Sequence, residues 1–170
     1  VTQGASTITQ QLSRQTFKLL ERSYKRKILE AFLAQRVEKE YSKSKILELY
    51  LNRIFFGANF YGVQAAAQGY FGKDVKDLTI EESATICALI KSPNNIQPIK
   101  HPERALKERN HVFDRMVDEG TLTSSDAAKL KLKPMITAPQ SSDPRLSYIF
   151  DTVRQEVVNL VGDERAAIGG

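Results

Sequence analysis

Apolar positions recur along most of the chain at the three- to four-residue spacing that is typical of amphipathic helices. No segment shows the sustained two-residue alternation, bounded by turn residues, that predicts a half-buried strand. We therefore predict an all-α fold. Helices are expected at about residues 8–19, 24–41, 44–52, 59–71, 80–91, 102–119, 124–130 and 146–161.

Hydroxyl residues mark the starts of several of these helices. A serine or threonine three positions ahead of Gln, Glu or Asp can accept a hydrogen bond from a free N–H group of the first turn. A first-turn proline and a terminating glycine delimit one further helix. The residues concerned are Thr7 with Gln10, Ser23, Thr79 with Glu82, Thr123 with Asp126, Pro102 and Gly120.

The apolar residues also predict how the helices pack. Ile28, Phe32 and Val37 lie near one side of the second helix, which we expect to face the core. The small residues 65–67 allow close backbone approach, so the helix at 59–71 is expected to be central. Cys87 is the only cysteine; it cannot form an intramolecular disulfide, and its apolar neighbours predict a buried thiol.

The composition changes after residue 130. Pro134, Pro139 and Pro144 interrupt any helix, so we predict an extended connector over residues 131–145. A last amphipathic helix is expected from Leu146 to about Val161. These patterns predict a helical domain over residues 1–130, followed over residues 131–170 by a connector and the start of a linker.

Composition and charge narrow the class of protein. The 170 residues are 41% hydrophobic and 26% charged, which fits one globular domain that needs no disulfide or structural metal. No apolar stretch approaches the roughly 20 residues that cross a bilayer. The net charge of +5 favours an anionic partner such as a phosphate or a lipid headgroup. Nucleic acid is disfavoured, because the charges are spread over nearly every helix.

The first polar cluster lies at the predicted start of the first helix. Ser6 and Thr7 precede the free N–H groups of a helix N-terminus, which is a natural site for an anion. Gln11 follows, and Arg14 lies about two turns into the helix, where it can add a bidentate phosphate contact. The alternative interpretation is ordinary capping followed by a solvated face.

The second cluster combines two cations and one carboxylate. Arg26 and Lys27 lie four and three residues ahead of Glu30, on the same side of the predicted second helix. A surface ion pair is the alternative interpretation. A glutamate beside two cations stays ionised at neutral pH, so it suits charge stabilisation better than general-acid catalysis.

The third cluster consists of Glu48 and Asn52, four residues apart, with Tyr50 between them. A carboxylate and an amide on one helix face can orient sugar hydroxyls, or they can hold a helix junction. The sequence has no Cys and His spacing typical of a metal site, no Walker loop and no nucleophile elbow, so no metal ligands are predicted.

In their order and spacing, these clusters resemble consecutive motifs of the family 51 glycosyltransferases. These are the peptidoglycan-polymerising domains of class A penicillin-binding proteins and of monofunctional transglycosylases. The similarity covers about residues 1–130. The matching segments are 4–14, 26–30, 45–52, 61–62, 65–66, 70–73, 92–94 and 109–116.

The resemblance implies a mostly helical, lysozyme-like fold with a membrane-facing jaw. The implied reaction joins lipid II units into β-1,4 glycan strands with inversion, and it releases undecaprenyl pyrophosphate. The implied partners are lipid II, the nascent glycan strand, the membrane surface and other cell-wall synthesis proteins. The implied location is the inner membrane, with the catalytic domain on the periplasmic side.

By matching positions, Glu30 corresponds to the family's second active-site glutamate and is the expected catalytic residue. In the family this glutamate helps the pyrophosphate to depart, directly or through a divalent cation, Mg²⁺ or Mn²⁺. The residues expected to line the donor and phosphate region are Ser6, Thr7, Gln11, Arg14, Arg26 and Lys27, and those expected to shape the same cleft are Glu48, Tyr50 and Asn52.

The chain departs from the family pattern in three places. Arg14 stands where lysine is usual, and Phe113 where leucine is usual. The motif that carries the general base, a Glu-Asp pair followed by Phe and His, is absent and would lie upstream of Val1. We therefore expect the 170 residues alone to be inactive and the parent protein to be active. Residues 146–170 loosely resemble the passage toward a transpeptidase domain, which favours a bifunctional penicillin-binding protein.

A glycan hydrolase or lytic transglycosylase is the alternative function, because a lysozyme-like fold can cut glycans as well as build them. Such enzymes need a protonated acid in an apolar pocket. The cationic neighbours of Glu30 disfavour that role.

Overall fold

The computed structural model describes residues 6–17, 19 and 23–138. In this part of the chain there is no strand, and the predicted helical fold is confirmed. One short 3-10 helix, Val75–Asp77, accompanies the α-helices. The α-helices are α1 (Ile8–Thr16), α2 (Tyr24–Glu40), α3 (Lys43–Leu51), α4 (Val63–Phe71), α5 (Ile80–Leu89), α6 (Pro102–Asp118) and α7 (Ser124–Leu132).

Side-chain caps fix most of the helix starts. The Thr79 hydroxyl accepts a hydrogen bond from the Glu82 N–H while the Glu82 carboxylate accepts one from the Thr79 N–H, so the predicted capping box is complete. The Thr7 cap is one-sided, because Thr7 accepts from the Gln10 N–H but the Gln10 side chain bonds elsewhere. Ser42 caps α3, which begins earlier than the predicted Ser44.

The main core forms where α3, α4 and α5 meet the loop between α3 and α4. Ala66 and Ala67 are fully buried in α4, which confirms the expected central position of this helix. Ala65, in contrast, is exposed. The largest buried side chains of this core are Tyr50, Phe56, Tyr70 and Phe71. A second cluster of Ala84, Phe113, Ala127 and Leu130 joins α5, α6 and α7.

The predicted apolar side of α2 is wrong at two of its three residues, whereas Val37 packs against the main core as predicted. Ile28 is 72% and Phe32 55% exposed, whereas Glu30 and Ala34 are the buried residues of this helix. These two residues lie four apart on the side that packs against α1. A small residue and a paired carboxylate allow α1 to approach closely, and that contact decides the orientation of α2.

Cys87 also differs from its prediction. It lies exposed on α5 rather than inside the core. Neighbouring atoms still desolvate the thiol enough to raise its pKa above the ordinary value. Within the apolar run around Cys87, Ile86 and Leu89 are buried in the core. Cys87 is not, because only one side of a helix faces the core.

Residues 133–138 lie against the helical body. Lys133 forms an ion pair with Glu81 of α5, and Met135 packs against the main core. The Ala138 N–H donates a hydrogen bond to the Tyr70 carbonyl at 2.8 Å. The described start of the predicted connector is therefore held at several points. The helix expected at 146–161 lies outside the described residues, and the boundary at residue 130 stays a prediction.

A tight loop joins α3 to α4. Phe55 and Tyr61 form an isolated antiparallel bridge, and their rings lie 5.0 Å apart. Gly62 has a φ of +85°, a conformation that disfavours any side chain. A Cβ at this position would lie 2.7 Å from the Asn52 carbonyl oxygen, so the loop folds against the end of α3 only with glycine there.

We predict that Gly62→Ala destabilises the chain by about 2–4 kcal/mol, because backbone strain adds to a clash with backbone atoms. Gly120→Ala is the matched control: its φ is +70°, but a Cβ there meets nothing within 4 Å. The control should therefore cost only about 1 kcal/mol. Urea unfolding of both variants measures the difference, and equal losses would contradict the proposed close approach of Gly62 to Asn52.

Candidate functional site

The site is built around a buried carboxylate. Glu30 lies in α2 with 1% of its side chain exposed. The Arg26 Nε lies 3.5 Å from Glu30 Oε1, and the Lys27 Nζ lies 3.3 Å from Glu30 Oε2. These pairs are four and three residues apart, so one helix face places both cations beside the carboxylate. Burial of an ionised carboxylate is costly without such partners.

Lys27 connects this carboxylate to the start of α1. Its Nζ donates to the Ser6 Oγ at 2.5 Å and to the Gln10 Oε1 at 3.4 Å, in addition to Glu30. An ammonium group has three N–H donors, so the three acceptors use all of them. Lys27 is consequently fixed at the mouth of α1, the end that carries the helix's partial positive charge.

Gln11 connects the same mouth to α3. The Tyr50 hydroxyl donates to Gln11 Oε1 at 3.2 Å, and Gln11 Nε2 donates to the Ser6 carbonyl at 3.4 Å. With Lys27 and Glu30, these contacts form a continuous hydrogen-bonded path across three helices. We refer to this path, Tyr50–Gln11–Ser6–Lys27–Glu30, as the relay.

Tyr50 is, like Glu30, a buried member of the relay, with 3% of its surface exposed. Desolvation by burial raises the pKa of its phenol, and the positive charge of Arg14 acts in the opposite direction. The phenol is therefore protonated at neutral pH and donates its hydrogen to Gln11. Arg14 contributes a third positive charge on the α1 side of the site.

Together these groups place three positive charges and one buried negative charge close to the start of α1. The start of α1, Lys27, Arg26 and Arg14 all favour an anion, whereas Glu30 fixes two of the cations. Phosphate oxygens suit such a set, because they accept several charge-assisted hydrogen bonds at once. Thr7 lies at the same mouth, where its hydroxyl caps α1.

The third predicted cluster is only partly joined to the relay. Tyr50 belongs to it, but the Glu48 side chain is 56% exposed and forms an ion pair with Lys45 at 2.7 Å. The Asn52 N–H caps the end of α3. Among the hydrogen bonds and ion pairs of the described residues, none connects the Glu48 or Asn52 side chain to the relay. Their expected roles in the cleft stay predictions.

Two contacts between α1 and α2 have no local signal in the sequence. Gln10 accepts from Lys27, as described above, and the buried Thr9 hydroxyl donates to Glu38 Oε1 at 2.6 Å. Thr9 and Glu38 are 29 residues apart, so no local spacing indicates their contact. Only the small side chain of Ala34, on the same face as Glu30, indicates a close approach of α1.

The sequence model of the transglycosylase family matches residues 1–117. The chain belongs to this family. The resemblance found in the sequence is thereby confirmed, and the described fold agrees with it. Among solved structures, the transglycosylase-family chain is similar to penicillin-binding protein 1A from Haemophilus influenzae, with a TM-score of 0.61 and 35% identity over 92% of this chain and 21% of that one.

The curated relatives of this transglycosylase-family chain are much longer. Penicillin-binding protein 1A of Aquifex aeolicus is 44% identical over 163 residues, which include 96% of this chain and 22% of the relative. Penicillin-binding protein 1A of Escherichia coli (strain K12) is 45% identical over 95% of this chain and 19% of its own length. The chain thus spans about a fifth of these proteins.

The residues at this transglycosylase-family site do not hold a divalent cation by themselves. Glu30 is the only carboxylate of the relay, and two cationic side chains occupy its surroundings. No group of three or more His, Cys, Asp or Glu residues suited to a metal occurs in the described parts of the chain. A hard cation such as Mg²⁺ prefers several oxygen ligands, which one carboxylate does not supply.

Within residues 6–17, 19 and 23–138, no helix has both the length and the apolar character that crossing a membrane requires.

We predict that Arg26→Gln destabilises the chain by about 1–2 kcal/mol, because Glu30 stays buried with one cation fewer. Lys45→Gln removes one cation from the exposed Lys45–Glu48 pair and is the matched control. It should cost less than about 0.5 kcal/mol. Chemical unfolding at low and at high salt measures the free energy of unfolding of both variants. A loss for Arg26→Gln no larger than the control's would contradict the pairing of a buried charge.

Proposed function

We propose that this chain is part of a peptidoglycan glycosyltransferase that polymerises lipid II into β-1,4 glycan strands. Membership of the transglycosylase family supports this function, as do relatives named penicillin-binding protein 1A. The observation that carries the proposal is the meeting of Ser6, Lys27 and Glu30 at the start of α1.

The charged groups at the start of α1 take the pyrophosphate of the lipid-linked donor. Lys27 exchanges its longest contact, the 3.4 Å hydrogen bond to Gln10, for a phosphate oxygen. Arg26 contacts a second phosphate oxygen, and Arg14 adds positive charge from the α1 side. When the bond between the sugar and the pyrophosphate breaks, negative charge grows on the leaving group. Cations already fixed in place stabilise that charge without reorganising during the reaction.

Glu30 holds these cations and is the proposed catalytic carboxylate. Among the described residues, its Oε1 is buried without a hydrogen-bond donor, and the Arg26 Nε–H that faces it is buried without an acceptor in hydrogen-bond geometry. The carboxylate therefore retains one free acceptor position. Paired with two cations, it acts as a fixed charge rather than as a proton donor.

The reaction also needs a base for the acceptor. In the family, a glutamate of the most N-terminal motif takes the proton of the acceptor 4-hydroxyl, whose oxygen then attacks the anomeric carbon with inversion. That motif is absent from these 170 residues. A divalent cation, if the longer protein uses one, would need oxygen ligands from the pyrophosphate itself.

A membrane surface is the proposed setting. Lipid II is a membrane lipid, so the chain would work at the periplasmic side of the inner membrane as part of a longer, anchored protein. Apolar side chains exposed on and around α1 and α2 support a surface that contacts lipid. They are Ile8, Phe17, Tyr24, Ile28 and Phe32.

The test is Glu30→Gln in the longer protein that we propose carries this chain. Removing the fixed negative charge should lower glycan polymerisation from lipid II by about 10²-fold or more, which is the size of effect typical of electrostatic catalytic groups. Glu119→Gln, at an exposed carboxylate in a surface ion pair, is the control and should retain activity. Unimpaired polymerisation by Glu30→Gln would contradict the role of this carboxylate.

A second assay distinguishes the proposed glycosyltransferase from a glycan hydrolase. A hydrolase needs a protonated acid, whereas Glu30 lies between two cations. We therefore expect no release of sugar fragments when the longer protein is incubated with purified peptidoglycan. Fragment release that depends on Glu30 would favour the hydrolase.

A further inference from the structure

Two members of the relay, Glu30 and Tyr50, are too buried to touch a ligand directly, with 1% and 3% of their surface exposed. Glu30 acts on its surroundings through its charge, whereas Tyr50 is neutral and lies beneath Gln11. Ser6 and Lys27 are more accessible, at the start of α1. The family resemblance places Tyr50 among the cleft residues. Its burial requires that any effect on a bound anion passes through its hydrogen bond to Gln11.

Gln11 has a fixed orientation because its two polar ends have different partners. Its Oε1 accepts from the Tyr50 hydroxyl, and its Nε2 donates to the Ser6 carbonyl. The Ser6 carbonyl can only accept, so it must face the Nε2 end of the amide, and the Tyr50 hydroxyl then donates to the oxygen end. Tyr50 thus holds the far end of the side chain that contacts Ser6.

The position of Ser6 depends on this contact more than the positions of residues inside α1 do. It precedes the Thr7 cap, so helical hydrogen bonding does not hold it. Among the described residues, the hydrogen bond that the Ser6 carbonyl accepts comes from Gln11 Nε2. The Ser6 hydroxyl in turn accepts from Lys27 at 2.5 Å, so a shift of Ser6 moves an acceptor of the ammonium group.

We infer that Tyr50 is a positioning residue for Lys27: through Gln11 and Ser6 it sets the place of the ammonium group that takes a pyrophosphate oxygen. The ligand part of this inference rests on the proposed function. The positioning part rests on the four contacts of the relay alone.

Tyr70 offers a closely matched control. It is also a buried tyrosine, and its hydroxyl donates to the Phe56 carbonyl at 2.9 Å. Burial raises its pKa to about 12, so this phenol too is a protonated donor at neutral pH. Tyr50→Phe and Tyr70→Phe delete the same atom and the same kind of hydrogen bond, but only the first breaks the relay.

In the experiment, ¹H–¹⁵N NMR of the 170-residue chain measures the rate at which the Lys27 ammonium group exchanges its hydrogens with water. Tyr50→Phe should speed hydrogen exchange of this group with water by about three- to tenfold, as expected for the loss of one hydrogen bond. Tyr70→Phe should leave the rate within about twofold. In a Gln11→Ala background, Tyr50→Phe should have no further effect, because the connection is already broken.

A titration with inorganic pyrophosphate, observed on the same signal, tests the ligand part. The wild-type chain should bind it, Tyr50→Phe should bind it about three- to tenfold more weakly, and Tyr70→Phe should bind it as the wild type does. Equal weakening in both variants would overturn the inference, since it would reflect general loosening of the fold.

The two proposals fail in different ways. An unchanged Lys27 signal in Tyr50→Phe would overturn the inference, whatever the pyrophosphate result. A Lys27 signal that responds to Tyr50, in a wild-type chain that does not bind pyrophosphate, would support positioning and contradict the proposed function.

Discussion

The arrangement of the first three helices depends on the burial of one carboxylate. Glu30 is almost completely removed from solvent, so its charge must be balanced by groups that reach it inside the protein. Arg26 and Lys27 do so from the preceding turn of α2. Lys27 then uses its remaining N–H donors on Ser6 and Gln10, which attaches the start of α1 to α2. A charge requirement inside one helix therefore fixes the position of another.

This requirement also supports the proposed role of these cations toward a phosphorylated substrate. Cations that are held by a buried carboxylate keep their positions when no ligand is present, so they lose little conformational freedom when an anion arrives. Membership of the transglycosylase family and the geometry of the site both support the proposed chemistry.

Much of this structure follows from local sequence. The caps at Thr7, Ser23, Thr79 and Thr123 were predictable because each depends on residues within one turn. The cations beside Glu30 were predictable from helical spacing. The orientation of α2 was not, because apolar periodicity pointed to Ile28 and Phe32, while the observed contact uses Ala34 and a paired charge. The contacts of Gln11 with Tyr50 and of Thr9 with Glu38 join residues that are distant in the sequence, so no local pattern indicates them.

The most direct test of the central claim is the cost of Lys27→Met in two backgrounds, measured as the free energy of unfolding. With Glu30 present, the substitution leaves a buried carboxylate short of a partner and should cost about 1–2 kcal/mol. In the Glu30→Gln background the side chain is neutral, so the same substitution should cost less than about 0.5 kcal/mol. Equal costs in the two backgrounds would contradict the claim that the Glu30 charge holds Lys27, and with it α1, in place.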